Sequence, residues 1–198
     1  MTPPTDNSLP DLDTAWESHW GDTPPLGHLL RTAQPDRWVR FHSLPRSKRY
    51  AVTEEEYVTL LGRQHMLLAD LGAPQDLVVI TCEWSDDPSP RGREPDVEQV
   101  APGDPWRTVL EDETEAPEFR TYTHLYMGTL TNLPTTLDPL LRKVADFETA
   151  GVILAPRGLG WLFHPYDGGV DVITATPAER DALSARHPDW LSRCPGGL

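Results

Sequence analysis

The chain predicts an α+β fold, a mostly antiparallel sheet with three main helices packed on it. Two observations carry this. The strand candidates cluster in neighbouring runs and do not alternate strictly with helices, which argues against a doubly wound parallel sheet. Hydrophobic residues make up 38% of 198 positions and include seven tryptophans, enough for one buried core at this length. The 21 prolines imply many turns and substantial loops.

Residues 1–10 are rich in Pro, Thr, Asp and Asn and read as a disordered leader, leaving 11–198 as a single domain. A short helix is expected over 11–21, with Leu12, Trp16 and Trp20 at helical spacing, and "LGHLLRT" adds a second turn. "RWVRFHSL" alternates Trp38, Arg40 and His42 against Val39, Phe41 and Ser43, the period of a strand. The strongest helix signal runs from 53 to 72. Thr53 stands at the N-cap with Glu56 three positions on, and Gly72 sits where a left-handed stop belongs.

The apolar run "DLVVITCEW" (76–84) has the composition of a central strand. Residues 85–105 are dense in Pro, Gly and charge and are expected to be one long mobile loop. Strands follow at 106–112 and 119–131, then a helix at 136–151. Three short strands come next, in "GVILAP", "GWLFHPY" and "GVDVITA". Asp167-Gly168 between the last two reads as a tight hairpin turn supplying positive φ values. The last helix starts at Thr176, with Pro177 at its first position and Glu179 at its third, and its inner stripe runs through Leu183, His187, Trp190 and Leu191. The helices are expected on one face of the sheet.

Charge narrows the function classes. Lys+Arg number 17 against 31 Asp+Glu, a net charge of −14. That repels phosphate backbones and anionic membranes, so nucleic acid is disfavoured, while a basic protein partner is compatible. No segment approaches the roughly 20 apolar residues of a membrane span, and the N-terminus has no basic and apolar targeting pattern. Only Cys82 and Cys194 are present, so no disulfide framework exists, and a reducing, cytoplasmic setting is expected.

No motif implies a cofactor: neither GxGxxG nor a Walker loop occurs. His164, Asp167 and Asp171 lie within eight positions, but their spacing matches no recurrent metal pattern and the turn accounts for Asp167. No metal site and no catalytic residue is assigned. Ser43 beside His42 points to the opposite strand face, and Cys82 belongs to an apolar run.

One stretch runs against the acidic background. "RWVRFHSLPRSKRY" (37–50) holds Arg37, Arg40, Arg46, Lys48 and Arg49 among Trp38, Phe41 and Tyr50. A turn with such cations can hold a phosphate or carboxylate, and aromatic neighbours can stack on a ring. The competing account is that they neutralise acidic neighbours such as 54–56 and 111–118.

The pieces "RWVRFHSLPRSKRYA" and "EEEYVTLLGRQH", with "WLFHPYDGGVDVI" and "RDALSARHPDWLS" later, resemble an uncharacterised bacterial family, a domain of unknown function with RFHSLP–SKRY and PYDGGxDV motifs. The resemblance runs from about residue 15 onward. It implies a neighbourhood of interest, Phe41–Tyr50 and Pro165–Asp171, and no mechanism; Arg46 stands where a smaller turn residue is expected. The candidate ligand-binding set is therefore Arg40, His42, Arg46, Lys48, Arg49, Tyr50, Asp167 and Asp171.

Two functional expectations follow. The first is a non-enzymatic acidic binding protein of the immunity or antitoxin type, masking a basic target. The second is an enzyme or small-ligand binder for a phosphorylated or carboxylated metabolite, using the basic turn at 40–50 as the anion site and His42 as acid or base.

Overall fold

The computed structural model describes residues 12–192; the expected leader at 1–10, and Cys194 with it, lie outside the described residues. The chain begins with two short helices, α1 (Leu12–Trp20) and α2 (Gly27–Ala33), then strand β1 (Trp38–His42) and helix α3 (Glu54–Asp70). Strand β2 (Asp76–Ser85), helix α4 (Pro95–Val100) and strands β3 (Asp104–Leu110) and β4 (Tyr122–Thr131) follow. Helix α5 (Pro134–Ala145) leads into β5 (Ile153–Ala155), β6 (Leu162–Tyr166) and β7 (Gly169–Ile173), and α6 (Pro177–Arg186) closes the series.

The seven strands form one sheet in the order β1-β7-β6-β5-β2-β4-β3, and every neighbouring pair is antiparallel. The α+β expectation holds. Strand alternation divides the sheet into two apolar faces. Val39 and Phe41, Leu77 and Val79, and Val170 and Val172 face α3, α5 and α6, which contribute Leu60, Leu67, Leu137, Leu141 and Leu183 to that core. Val78, Ile80 and Ile153 face the other way, onto Trp16 and Trp20 of α1 and Leu30 of α2. The three longer helices thus lie on one face as expected, but the sheet is covered on both. The buried tryptophans of α1 are what a second apolar face requires.

Local chemistry sets most boundaries. The Thr53 hydroxyl accepts from Glu56 N, and the chain leaves α3 through Gly72 at φ +65, with Gly72 N and Ala73 N donating back to Ala69 O and Leu68 O. At Thr176 both halves of the capping box are present.

The structure departs from expectation in several places; the strand expected from 119, for one, begins at Tyr122, after a 3-10 turn at Pro117–Phe119. The 85–105 stretch is not one loop: β2 runs to Ser85, Pro95 starts a helical turn that buries Val97, and β3 begins at Asp104. Helix α5 stops at Ala145, because Phe147 turns the chain at φ 59. Helix α6 stops at Arg186, and Pro188–Trp190 form a separate 3-10 turn that stacks Trp190 on His187. Neither Asp167 nor Gly168 is among the residues at positive φ; in the basic segment Arg46 (φ 57) and Ser47 (φ 55) are.

Candidate functional site

The two stretches singled out by sequence meet in space. The register between β1 and β7 sets Arg40 opposite Asp171, and that between β6 and β7 sets Asp171 opposite His164. Three chemically active residues therefore form one rung across three strands, all on one sheet face. The next rung reads His42, Gly169 and Tyr166. A Cβ at Gly169 would stand 2.2 Å from Phe41 O and 2.7 Å from the Tyr166 hydroxyl, so only glycine admits this close approach. Asp167-Gly168 form the expected two-residue turn between β6 and β7, without the positive φ, and it is Gly169 that packing requires. Gly168 lies under the Arg49 side chain, and its carbonyl accepts from Ser43 N.

Asp171 is buried, and Arg40 clasps it with two hydrogen bonds, Nε to Oδ1 at 2.6 Å and Nη2 to Oδ2 at 2.8 Å. The Arg40 guanidinium also lies over the rings of Tyr166 at 4.9 Å and Trp38 at 5.5 Å. Burial opposes its charge, but the hydrogen bonds and charge of Asp171 outweigh this and hold Arg40 protonated above its ordinary range.

Arg49 bonds the buried carboxylate of Asp167 through Nε at 2.9 Å and Nη2 at 2.8 Å, and rests over Tyr50. Lys48 pairs with Glu56, whose other oxygen accepts from Val52 N at 2.8 Å. Arg37 donates to Ala175 O at 3.4 Å and covers Trp20. Of the five cations, Arg46 alone has no ion-pair or hydrogen-bond partner among the described residues. It projects from the strained turn, beside His42 and Asp189. His42 sits apart from the Arg40–Asp171 clasp; burial first, then Arg40 and Arg63, lower its pKa, so it is neutral at pH 7. Tyr50 is half exposed. The eight predicted residues thus fall into a largely buried pair (Arg40 and Asp171), a pair in which an exposed Arg49 covers the buried Asp167, a surface pair at Lys48, and a rim made by His42, Arg46 and Tyr50.

Sequence reasoning missed three neighbours. Arg31 of α2 comes within 3.8 Å of Asp171 Oδ2. Tyr166 lies beneath Arg40, and burial pushes its phenol up to about 12, so it stays a donor. His164 was weighed only as a metal ligand. Its rung with Asp171 follows from strand alternation once β6 and β7 are paired, whereas no local signal points to Arg31, 140 positions from Asp171.

The arrangement is suited to holding charge and donating hydrogen bonds. Both carboxylates of the 164–171 segment are engaged by arginines, and among the described residues no group of three or more His, Cys, Asp or Glu is placed to hold a metal ion. Cys82 is buried, its thiol is pushed up to about 12 by desolvation, and it donates to Ala150 O, which leaves little thiolate at pH 7.

No curated protein and no solved structure matches the chain. A family model does, over residues 26–195, from the start of α2 past the end of α6. Both motif segments and the rung they build lie inside that match, so the chain belongs to the family DUF3885, a domain of unknown function.

Proposed function

We propose that this protein is a non-enzymatic binding protein that engages a basic protein partner through its acidic surface, in the manner of an immunity protein or antitoxin. The observation that carries this reading is where the cations go. Arg40, Arg49 and Lys48 are spent on Asp171, Asp167 and Glu56, so the basic segment does little to offset the acidic exterior. The β3–β4 connection presents the excess most openly. Asp112, Glu113, Glu115 and Glu118 are exposed with no ion pair among the described residues, and Phe119 beside them is 72% exposed. Arg120, the nearest cation in sequence, donates to the backbone carbonyls of Glu113 and Glu115 instead of to their side chains. A carboxylate cluster flanking an exposed aromatic ring offers steering charge and an apolar anchor together.

The test is a titration of the purified products of the flanking genes by calorimetry at low and high salt. A basic product that binds, loses affinity as salt rises, and binds the triple variant Glu113→Lys/Glu115→Lys/Glu118→Lys much more weakly is the expected result. Binding that ignores both salt and charge reversal, or no binding by any flanking product, refutes this reading.

A further inference from the structure

The rung of Arg40, Asp171 and His164 forms the floor of a cleft of about 350 Å³, walled by α2 on one side and by the end of β2 on the other. This is within the size range of small-ligand sites. Two glycines keep it open. A Cβ at Gly27 would lie 2.4 Å from His164 Cε1, and one at Gly151 would lie 2.3 Å from Cys82 Sγ.

Two donors in this cleft are left over. Asp171 gives both oxygens to Arg40, so Arg31 reaches it only at 3.8 Å, beyond hydrogen-bond distance, and makes no hydrogen bond among the described residues. Its side chain is 29% exposed and its guanidinium lies 5.8 Å from the Trp38 ring. His164 is the second. Its Nδ1 is buried with no partner, and the tautomer that carries the proton on Nε2 avoids a buried unpaired N–H. Burial lowers its pKa, so the ring is a neutral donor at pH 7. The donor it offers is Nε2–H, which has no hydrogen-bond partner among the described residues.

The rest of the lining decides the ligand class. Trp84, 49% exposed, and Leu26 supply an aromatic and an apolar wall. Glu111 also borders the cleft, accepting from Thr123 Oγ1 at 2.7 Å with His28 Nε2 at 3.8 Å. A carboxylate there repels any anion, and a doubly charged one about twice as strongly as a monocarboxylate. We propose that this cleft binds a small organic monocarboxylate, its carboxylate taken by Arg31 and His164 and its apolar body laid against Trp84. The cleft meets the β3–β4 connection at Glu111, which is not among the acidic residues reversed in the partner test, and the proposal does not depend on the partner reading.

Benzoate is the probe, with benzyl alcohol as its neutral counterpart and phenyl phosphate as its more highly charged one, each titrated into the full chain by calorimetry. Saturable benzoate binding is expected, with benzyl alcohol weaker by about tenfold or more, the worth of a charged hydrogen bond. Arg31→Met weakens benzoate by a similar factor, and Arg91→Ala, at an exposed side chain outside the cleft, leaves it unchanged. Trp84→Ala, at a half-exposed side chain, gives an independent second reading and also weakens benzoate. Absence of benzoate binding, equal binding of benzyl alcohol, tighter binding of phenyl phosphate, or wild-type affinity in both cleft variants overturns the proposal.

Discussion

Asp171 shows how one buried carboxylate organises its surroundings. Its side chain is 5% exposed, and that of its partner Arg40 16%. Removing one partner of such a pair strands the other charge, whereas exposed pairs contribute little. Asp171→Ala is expected to cost about 3 kcal/mol of unfolding free energy, read from urea titration. Arg49→Ala, at a mostly exposed guanidinium, is expected to cost clearly less; an equal loss would contradict the difference in burial. The cations of 37–50 were legible in sequence as an oddity of charge. Lys48 finds Glu56 in the neighbouring acidic run the sequence offered, but the destinations of Arg40 and Arg49 were not legible, because Asp171 and Asp167 stand more than a hundred positions away and no local rule links them.

The helix ends show where local rules suffice and where they fail. Gly72 after α3 and the Thr176 capping box before α6 read directly from sequence, because each uses the residue type its backbone geometry favours. Helix α5 closes with the same pattern of hydrogen bonds as α3, Phe147 N to Val144 O and Glu148 N to Lys143 O, but puts phenylalanine at the left-handed position. That is why the sequence expectation ran on to Gly151. A side chain at φ 59 is strained, and Phe147 is 71% exposed, so little packing compensates. Phe147→Gly should raise stability by about 1 kcal/mol, seen as a higher denaturation midpoint; a lower midpoint would mean that the ring packs in solution.

Across the whole molecule, burial of neutral imidazoles links stability to pH. Burial is the largest cause of the lowered pKa at both His42 and His164, with nearby arginines adding to it. In the unfolded chain each titrates near the ordinary value of about 6.5. Below that pH the unfolded chain binds more protons than the folded one, so the contribution is present above about 6.5 and lost as pH falls toward the folded values. The urea midpoint should therefore drop between about pH 7.5 and 5, and His164→Phe should flatten the drop. An unchanged slope in the variant would assign the pH dependence to other groups.

The sequence by itself determined seven strands, the main helices and an α+β class, and it singled out the two segments that meet at Arg40, Asp171 and His164, because alternation, capping residues and composition act over a few positions. The short α4 escaped it, hidden in a stretch whose Pro and charge spoke for loop. Only the tertiary structure decided that the sheet is covered on both faces, that Arg40 and Arg49 are neutralised from the far end of the chain, and that Arg31 and His164 are left with unused donors. Strand order and register set all three, since they bring together residues that chain proximity does not connect.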